Sequence, residues 1–324
     1  MKSVGILGAS GYTGYELLKL LKNHPDLSLT VLNSRQYGGQ PVSRLYPDYK
    51  GTETYTNYSL EQVNQLKPDL IFSALPHKVS MEAVEQMDKA IKVIDLSADY
   101  RFKDTKKYEQ VYDRRHLNSS HGAVYGLPEL FEKQIKQARL VANPGCYATA
   151  AILAVYPVQK YAHHVVLDCK SGWSGAGKAS DYAKNQSIIR DNLVAYNLTN
   201  HRHKYEIEQF ITTKLSFTPH VIDTFQGMMC TAHVLLDKRL SSKEALKLYQ
   251  DFYYDSPFVQ VTKAIPQITH TQKTNFCHIG GFEVDDANRL VAVSTIDNLL
   301  KGASGQAVQN MNLMLGFDQA KGLL

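Results

Sequence analysis

Near its N-terminus the chain reads Ser3-Val4-Gly5-Ile6-Leu7-Gly8-Ala9-Ser10-Gly11-Tyr12-Thr13-Gly14. Residues 3–7 predict a strand, the glycines predict a tight loop, and residues 15–21 predict a helix that the Pro at 25 ends. In this order, glycines let the backbone approach a pyrophosphate, which the helix N-terminus holds. The spacing is GxxGxxG rather than GxGxxG, so a turn without a ligand is the alternative. The predicted dinucleotide contacts are Gly8, Ser10, Gly11, Tyr12, Thr13 and Gly14.

The end of the next strand bears on the choice of dinucleotide. Residues 27–32 predict this strand, and Asn33-Ser34-Arg35 follow it. NAD-binding domains carry an acidic residue at about this place, whereas a carboxylate would repel a 2′-phosphate and an Arg would hold it. Ser34 and Arg35 therefore predict NADP(H); a solvated loop Arg is the alternative.

Two further strands extend this sheet. Residues 69–77 and 92–97 predict strands, and residues 80–90 predict the helix that joins them. Alternating strands and helices predict a doubly wound parallel (Rossmann) sheet with its ligands at the carboxyl ends of the strands. Ser73 and Pro76 lie at such an end and are predicted close to the nicotinamide ribose.

A second organising stretch is Asn143-Pro144-Gly145-Cys146-Tyr147, between an apolar strand-like run and the helix-forming residues 148–153. This places Cys146 at a helix N-terminus, where the helix dipole favours a thiolate. A nucleophile and a buried structural cysteine are both open interpretations. Cys169, Cys230 and Cys277 lie in strand-like runs and fit the structural interpretation.

The second half of the chain offers two further motifs. The Gly- and Ser-rich loop at 171–178 is shaped to bind an anion or is a flexible surface loop. His201-Arg202-His203 has the spacing of a metal pair, but no other ligand cluster accompanies it, so catalysis is favoured over metal; two surface histidines are the alternative. Residues 215–221, 228–236, 275–284 and 289–296 predict strands, and 242–254 and 307–315 predict helices.

Length and composition limit the class of protein. The 324 residues suit two domains, and the net charge of +5 comes from 36 basic and 31 acidic residues spread along the chain. No dense basic stripe predicts nucleic acid, and no run of about 18 apolar residues predicts a membrane span. Four cysteines without a CxxC pair argue against a disulfide framework and a zinc site, and predict a cytoplasmic protein.

Together these motifs resemble the N-acetyl-gamma-glutamyl-phosphate reductases, relatives of aspartate-semialdehyde dehydrogenase. The resemblance covers nearly the whole chain, and the quoted stretches at 8–14, 34–35, 143–147, 171–177, 201–203 and 301–310 carry it. It implies a glyceraldehyde-3-phosphate-dehydrogenase-like fold. Residues 1–147 and 303–324 would form the NADP-binding Rossmann domain, and 148–302 a catalytic and oligomerisation α+β domain on a mixed sheet.

The resemblance also implies the reaction. NADPH would reduce N-acetyl-gamma-glutamyl phosphate to N-acetylglutamate 5-semialdehyde with release of inorganic phosphate, in arginine biosynthesis, through a thioester on Cys146. His203 would be the acid/base, and the enzyme a homo-oligomer, a dimer or tetramer. Implied substrate contacts are Arg101, Asn143, Tyr196, His201 and Lys178. Further implied cofactor contacts are Ser174, Gly175, Asn298 and Gln306.

Two positions depart from the family pattern. Ala148 stands where Pro usually follows Cys-Tyr, a change that a helix start tolerates. Gln226 precedes Gly227 where the family usually has Arg, so a charged substrate or intersubunit contact inferred there loses its charge.

Other functions remain open on the sequence. One is reduction of a related acyl phosphate, either aspartyl phosphate or carrier-bound 2-aminoadipyl phosphate. A non-catalytic NADP-binding regulator and a structural or interaction protein are the others, and Cys146 together with His203 argues against both.

Overall fold

Parallel strands form the sheet of the first of two units in the computed structural model, which describes residues 1–324. Its strands are β1 (Lys2–Leu7), β2 (Leu27–Asn33), β3 (Leu70–Ser73), β4 (Lys92–Asp95), β5 (Val124–Tyr125) and β6 (Leu140–Ala142). The order is β2-β1-β3-β4-β6-β5, and every neighbouring pair is parallel. The doubly wound sheet is thus confirmed.

The position of β1 explains where a ligand fits in this unit. The chain leaves β1 for β2 on one side and later adds β3 on the other. This reversal of strand order opens a crevice at the carboxyl end of β1, the usual ligand position in open α/β sheets. The glycine loop follows β1 directly, so the sequence motif lies at the topological switch point.

Helices accompany this sheet between its strands. They are α1 (Tyr12–Lys22), α2 (Leu60–Leu66), α3 (Val79–Gln86), α4 (Thr105–Tyr112) and α5 (Pro128–Gln137). The first unit comprises Met1–Pro144 and Ala303–Leu324, and the second comprises Gly145–Gly302. Cys146 therefore belongs to the second unit, whereas the boundary expected from the sequence lies after Tyr147.

The second unit is built on a mixed sheet. Its strands are β7 (Ala162–Gly172), β8 (Leu193–Ala195), β9 (Lys214–Ile222), β10 (Met228–Leu236), β11 (Val259–Val261), β12 (Cys277–Val284) and β13 (Arg289–Ile296). They lie in the order β11-β12-β13-β10-β7-β9-β8; the pairs β7–β9 and β11–β12 are parallel and the others antiparallel. This confirms the predicted mixed sheet.

The helices of the second unit begin with the one that carries Cys146. They are α6 (Cys146–Val155), α7 (Asp181–Lys184), α8 (Arg202–Ile207), α9 (Ser242–Phe252) and α10 (Ile268–Thr271). Every residue of α6 from Tyr147 to Val155 is buried, and the helix packs on β10 and β13. Apolar burial along its whole length therefore fixes the helix that presents the thiol.

The chain returns to the first unit at its C-terminus. A π-helical turn at Leu300–Ser304 leads into α11 (Gly305–Leu315), which packs on α1 and α5 and is almost wholly buried. None of the chain's helices combines the length and the apolar character that crossing a bilayer requires.

The sequence patterns located the long elements better than the short ones. The helix predicted over 242–254 ends at Phe252, and the strand predicted from Asn275 begins at Cys277. The strands β5, β8 and β11 were not predicted, because two or three residues are too few to show a period.

Candidate active site

Cys146 is the first residue of α6, and Gly145 is its N-cap. Glycine has no side chain to bond the first turn, so the helix N-terminus stays open towards an anion. Cys146 is partly exposed, whereas Cys169, Cys230 and Cys277 are fully buried, and all four thiols are free. The structure thus provides one accessible thiol at a position that favours its ionisation.

Glu206 is a residue of this site that the sequence analysis missed. Its carboxylate is fully buried, and Oε1 accepts a hydrogen bond of 2.8 Å from the backbone N–H of Gly145. Glu206 follows His203 by three residues, and positions three apart share a face of a helix. Both side chains lie on α8, so Glu206 ties the His203 helix to the turn before Cys146. A Glu three positions after a candidate acid/base was the available signal.

His201 is the N-cap of α8. Its Nδ1 accepts a hydrogen bond of 3.1 Å from the backbone N–H of His203, so the neutral ring carries its hydrogen on Nε2. Burial, together with the positive charge of Arg202, lowers the pKa of His201 to about 4. His201 is therefore neutral at neutral pH and offers a hydrogen-bond donor rather than an exchangeable proton.

Aromatic rings pack around both histidines. The rings of His201 and His203 lie 4.8 Å apart, and the Tyr147 ring lies 5.7 and 5.8 Å from them. The Tyr147 hydroxyl donates to the carbonyl oxygen of His220 at 2.8 Å. Burial raises the pKa of Tyr196, whose ring lies 5.4 Å from His201, to about 12. Both phenols therefore stay protonated and hold the imidazoles in fixed orientations.

These side chains share one cavity of about 420 Å³. Its lining includes Cys146, Tyr147, Gly175, Tyr196, His201 and His203. Five of these residues lie on three separate sequence motifs, at 143–147, 171–177 and 201–203, and the fold brings the three motifs together. No group of three or more His, Cys, Asp or Glu side chains in the chain is arranged to hold a metal ion.

The loop after β7 forms a wall of this cavity. Ser174 is buried, and its Oγ accepts a hydrogen bond of 2.9 Å from Nδ2 of Asn298. Oδ1 of Asn298 in turn accepts from the N–H of Gly227 at 2.7 Å. Ser174 and Asn298, both predicted as cofactor contacts, thus tie the loop to Gly227, while Gly175 faces the cavity. Lys178 is exposed and outside the lining.

The glycine loop of the first unit depends on two close backbone approaches. Gly8 has φ +80°, and a Cβ there would lie 2.5 Å from the carbonyl oxygen of Ala74. A Cβ on Gly14 would lie 2.5 Å from the carbonyl oxygen of Gly8. A Cβ on Gly11, the N-cap of α1, would meet one protein atom at 3.8 Å. Because the protein leaves this space open at the helix N-terminus, the loop fits a pyrophosphate.

Ser34 and Arg35 follow β2 in the first unit. Ser34 is buried, and its hydroxyl donates to that of Ser10 at 3.0 Å, so it joins the loop between strand and helix to the end of β2. Arg35 is exposed and its guanidinium makes no hydrogen bond or ion pair with the chain. It is therefore available to a 2′-phosphate, and Tyr12 and Thr13 lie partly exposed in the same unit.

The remaining predicted cofactor residues of this unit differ in exposure. Ser73 is fully buried, 2.6 Å from the Ser80 hydroxyl, which bonds Asp95, while Pro76 is exposed. Gln306 on α11 is fully buried; its Nε2 donates to the Gly126 carbonyl at 3.0 Å, and its Oε1 has no partner within the chain. A buried unpaired amide oxygen costs free energy, and a bound cofactor with an N–H donor would satisfy it.

Asn143 and Arg101 are buried in the first unit and bonded to its backbone. Nε of Arg101 donates to the Asn143 carbonyl at 2.8 Å, and Nη2 donates to the Leu96 carbonyl at 3.0 Å. Nδ2 of Asn143 donates to the Ala303 carbonyl at 3.0 Å, and Oδ1 accepts from Asn310 at 3.1 Å. These bonds fix the segment that precedes Pro144, a role the sequence analysis did not assign.

Comparison with known proteins gives consistent results. Residues 3–138 match the model of the semialdehyde dehydrogenase NAD binding domain, and residues 146–298 match that of the semialdehyde dehydrogenase dimerisation domain. The N-acetyl-gamma-glutamyl-phosphate reductases of Methanocaldococcus jannaschii and Methanocella arvoryzae are 44% and 45% identical to this chain. Each comparison covers 100% of the chain and 98% of the relative.

Solved structures match the fold. Aspartate semialdehyde dehydrogenase II of Vibrio cholerae, complexed with ASA, superposes with a TM-score of 0.73 at 16% identity and covers 98% of each chain. The Candida albicans aspartate semialdehyde dehydrogenase with NADP superposes with a TM-score of 0.72 at 16% identity over 100% of both chains. At such identity these structures show the fold alone. By sequence, over its full length, this chain belongs to the N-acetyl-gamma-glutamyl-phosphate reductase family of semialdehyde dehydrogenases.

Proposed function

We propose that the chain reduces N-acetyl-gamma-glutamyl phosphate to N-acetylglutamate 5-semialdehyde, with NADPH as reductant and release of phosphate, in arginine biosynthesis. The observation that carries the proposal is the Cys146 thiol, which is partly exposed at the start of α6 in one cavity with His201 and His203. The names of the full-length relatives support the choice of substrate.

Cys146 acts as the nucleophile in this proposal. Its thiolate, favoured by the open N-terminus of α6, attacks the gamma carbonyl carbon and phosphate leaves with the electron pair of the broken C–O bond. A thioester remains on Cys146. NADPH, when bound, supplies the hydride that reduces this thioester. Glu206 holds Gly145 and thereby keeps the thiol in a fixed position relative to α8.

The two histidines divide the remaining work. His203 protonates the oxygen that gains charge when the thioester carbon is reduced, and it takes the proton back when the aldehyde leaves and the thiolate re-forms. His201 stays neutral because its pKa is about 4, so it donates a hydrogen bond from Nε2 to a substrate oxygen. Tyr196 lines the same cavity, and its hydroxyl is a second hydrogen-bond donor to substrate.

The first unit binds NADP(H) in this proposal. Residues 8–14 hold the pyrophosphate, Arg35 with Ser34 holds the 2′-phosphate, and the free oxygen of Gln306 accepts a hydrogen bond from the cofactor. Ser73, Pro76, Ser174, Gly175 and Asn298 as cofactor contacts, and Arg101, Asn143 and Lys178 as substrate contacts, follow the family pattern.

The second unit also serves oligomerisation in this proposal. The matched dimerisation domain spans residues 146–298, which supports a homodimer or a homotetramer. We assign the protein to the cytoplasm because all four cysteines are free thiols, the usual state in a reducing compartment.

The test is phosphate-dependent reduction of NADP+ with N-acetylglutamate semialdehyde, run beside aspartate semialdehyde. We expect turnover with the first substrate and at least about tenfold lower kcat/KM with the second, because the cavity must discriminate between their different chain lengths and the acetyl group. Preference for aspartate semialdehyde would overturn the substrate assignment. No turnover with either would overturn the enzymatic function.

A further inference from the structure

Asp297 follows β13 and carries a fully buried carboxylate without an ion pair. Instead it accepts four hydrogen bonds from N–H groups. Oδ2 accepts from Nε2 of Gln226 at 2.5 Å and from the backbone of Lys273 at 2.7 Å. Oδ1 accepts from the backbones of Leu299 and Leu300 at 2.8 and 3.1 Å. Burying a carboxylate costs free energy unless hydrogen bonds satisfy its oxygens. The four donors around Asp297 must therefore keep fixed positions relative to its carboxylate.

Asp297 reaches the nucleophile through Gly302. The carbonyl oxygen of Asp297 accepts a hydrogen bond of 2.8 Å from the N–H of Gly302. A Cβ on Gly302 would lie 2.8 Å from Cβ of Cys146 and 3.3 Å from its Cα. The backbone of Gly302 thus lies directly against the carbon that bears the thiol. Bonds from both the side chain and the carbonyl of Asp297 hold the turn of residues 297–302 in this position.

The same turn also holds the cavity wall. Asn298, the neighbour of Asp297, bonds the N–H of Gly227 and the hydroxyl of Ser174. The carbonyl of Gly227 accepts from the N–H of Gly172, at the start of the loop after β7. The neutral amide of Gln226 links the segment 226–227 to Asp297. One hydrogen-bond network therefore connects the wall and the turn that contacts Cys146.

We propose that Asp297, with Gln226 as its side-chain partner, is a positioning residue that sets the geometry of the Cys146 thiol through Gly302. This inference rests on the proposed role of Cys146 as the nucleophile. Asp297 does not line the cavity, so it acts on the reactive geometry without contacting the substrate. Loss of its bonds should lower kcat and leave KM nearly unchanged, since attack depends on alignment within a few tenths of an ångström.

The first experiment compares Asp297→Asn and Gly302→Ala with the wild type. The Asn amide would place a donor against the donors of Gln226 and Lys273 or against those of Leu299 and Leu300, whichever way it is turned. We expect each variant to lose about 10- to 100-fold in kcat with KM within about threefold, and the double variant to lose no more than the worse single one. Fully additive losses, or a loss confined to KM, would overturn the proposal.

A second readout needs no substrate. Alkylation of native Cys146 by iodoacetamide should be about three- to tenfold faster in Asp297→Asn. A displaced Gly302 would open space beside Cβ of Cys146, so that the reagent reaches Sγ more easily. The other three cysteines are buried and react slowly. An unchanged rate would overturn the proposal. This arm stays informative if the substrate assignment fails, so the two failures are distinguishable.

Asp285→Asn is the matched control. Asp285 is a partly exposed carboxylate just before the opposite end of β13, where it accepts bonds from the backbone and Nε of Arg289. This variant should leave kcat and alkylation within about twofold of the wild type. If Asp297→Asn does not fold, Gln226→Ala removes one bond to Asp297 and should lower kcat about three- to tenfold with KM retained. An unchanged kcat in Gln226→Ala would then overturn the proposal.

Discussion

The two glycine-rich loops of this chain, at residues 8–14 and 171–177, resemble each other in sequence but have different surroundings. The first leads into an eleven-residue helix whose N-cap, Gly11, faces open space. The second leads into a short 3₁₀ turn, and a Cβ on its Gly172 would lie 2.7 Å from the carbonyl oxygen of Phe225. Gly11 thus leaves room for a ligand in the first loop, whereas Gly172 lets the chain itself approach in the second.

The difference teaches that a glycine pattern predicts that another group packs closely against the backbone. The pattern does not specify whether that group is a ligand or another segment of the chain. In the first unit we expect recognition by backbone and one exposed Arg, whereas in the second we expect chemistry by side chains from separate segments. Substitutions in the two units should therefore separate cofactor binding from turnover.

Cys146→Ser should show the largest effect. A hydroxyl is a far weaker nucleophile than a thiolate, so we expect turnover to fall by roughly 10⁴-fold or more. NADPH affinity should stay within about twofold, because the loop at 8–14 is unchanged. The measurements are steady-state kinetics and cofactor titration. Activity within tenfold of the wild type would remove Cys146 from its proposed role, and Cys277→Ser, at a buried strand position, controls for loss of stability.

His203→Ala should have the next largest effect. Loss of a positioned acid/base group costs about 10²- to 10⁴-fold in kcat. His201→Ala should cost less in kcat and raise KM, because a ring with a pKa of about 4 is neutral and acts as a donor to substrate. Kinetics of both variants across pH 6–9 test this division. A larger loss of kcat at His201 would show that the roles are reversed.

Arg35→Ala should weaken NADPH about 10- to 150-fold, since a hydrogen bond to a charged group contributes about 1.5–3 kcal/mol. NADH lacks the 2′-phosphate, so its affinity should hardly change. Because Arg35 is exposed, added salt should weaken NADPH more than NADH. Dissociation constants of both nucleotides give the answer, and equal losses would contradict the selectivity argument.

Gly11→Ala and Gly14→Ala form a pair that sharpens the comparison of loops. The Cβ on Gly11 meets no close atom, so stability should change by less than about 0.5 kcal/mol while NADPH affinity falls about tenfold. The Cβ on Gly14 would lie 2.7 Å from Cα of Ala9, so stability should fall by about 1–3 kcal/mol. Urea unfolding and NADPH titration separate them; normal NADPH binding by Gly11→Ala would contradict the pyrophosphate assignment.

The sequence predicted the long helices and strands. It also predicted the residues that the local backbone conformation requires, such as the loop glycines. Strand β1, the glycine loop and α1 follow from apolar runs and glycines within about twenty residues, because local sterics and helix termini act over that range. Cys146 could be placed at a helix start for the same reason. The bond from Glu206 to Gly145 could not be predicted, since the two residues lie 61 positions apart.

Serine and amide side chains show the same limit. The family resemblance implies Ser174 and Asn298 as cofactor contacts, and in the structure they bond each other across 124 positions of the chain. Short polar side chains bond whatever donor or acceptor the fold brings near them, so their motif alone does not specify a partner.

The sequence by itself determined the Rossmann unit, the cofactor class and the family, because glycine, proline and periodic apolar residues act locally and motifs are contiguous. Only the tertiary structure decided that Asp297 supports Gly302 beside Cys146 and that Glu206 fixes Gly145. A carboxylate that is buried away from water needs hydrogen-bond donors from the chain itself. Those donors come from segments that meet only when the chain is folded.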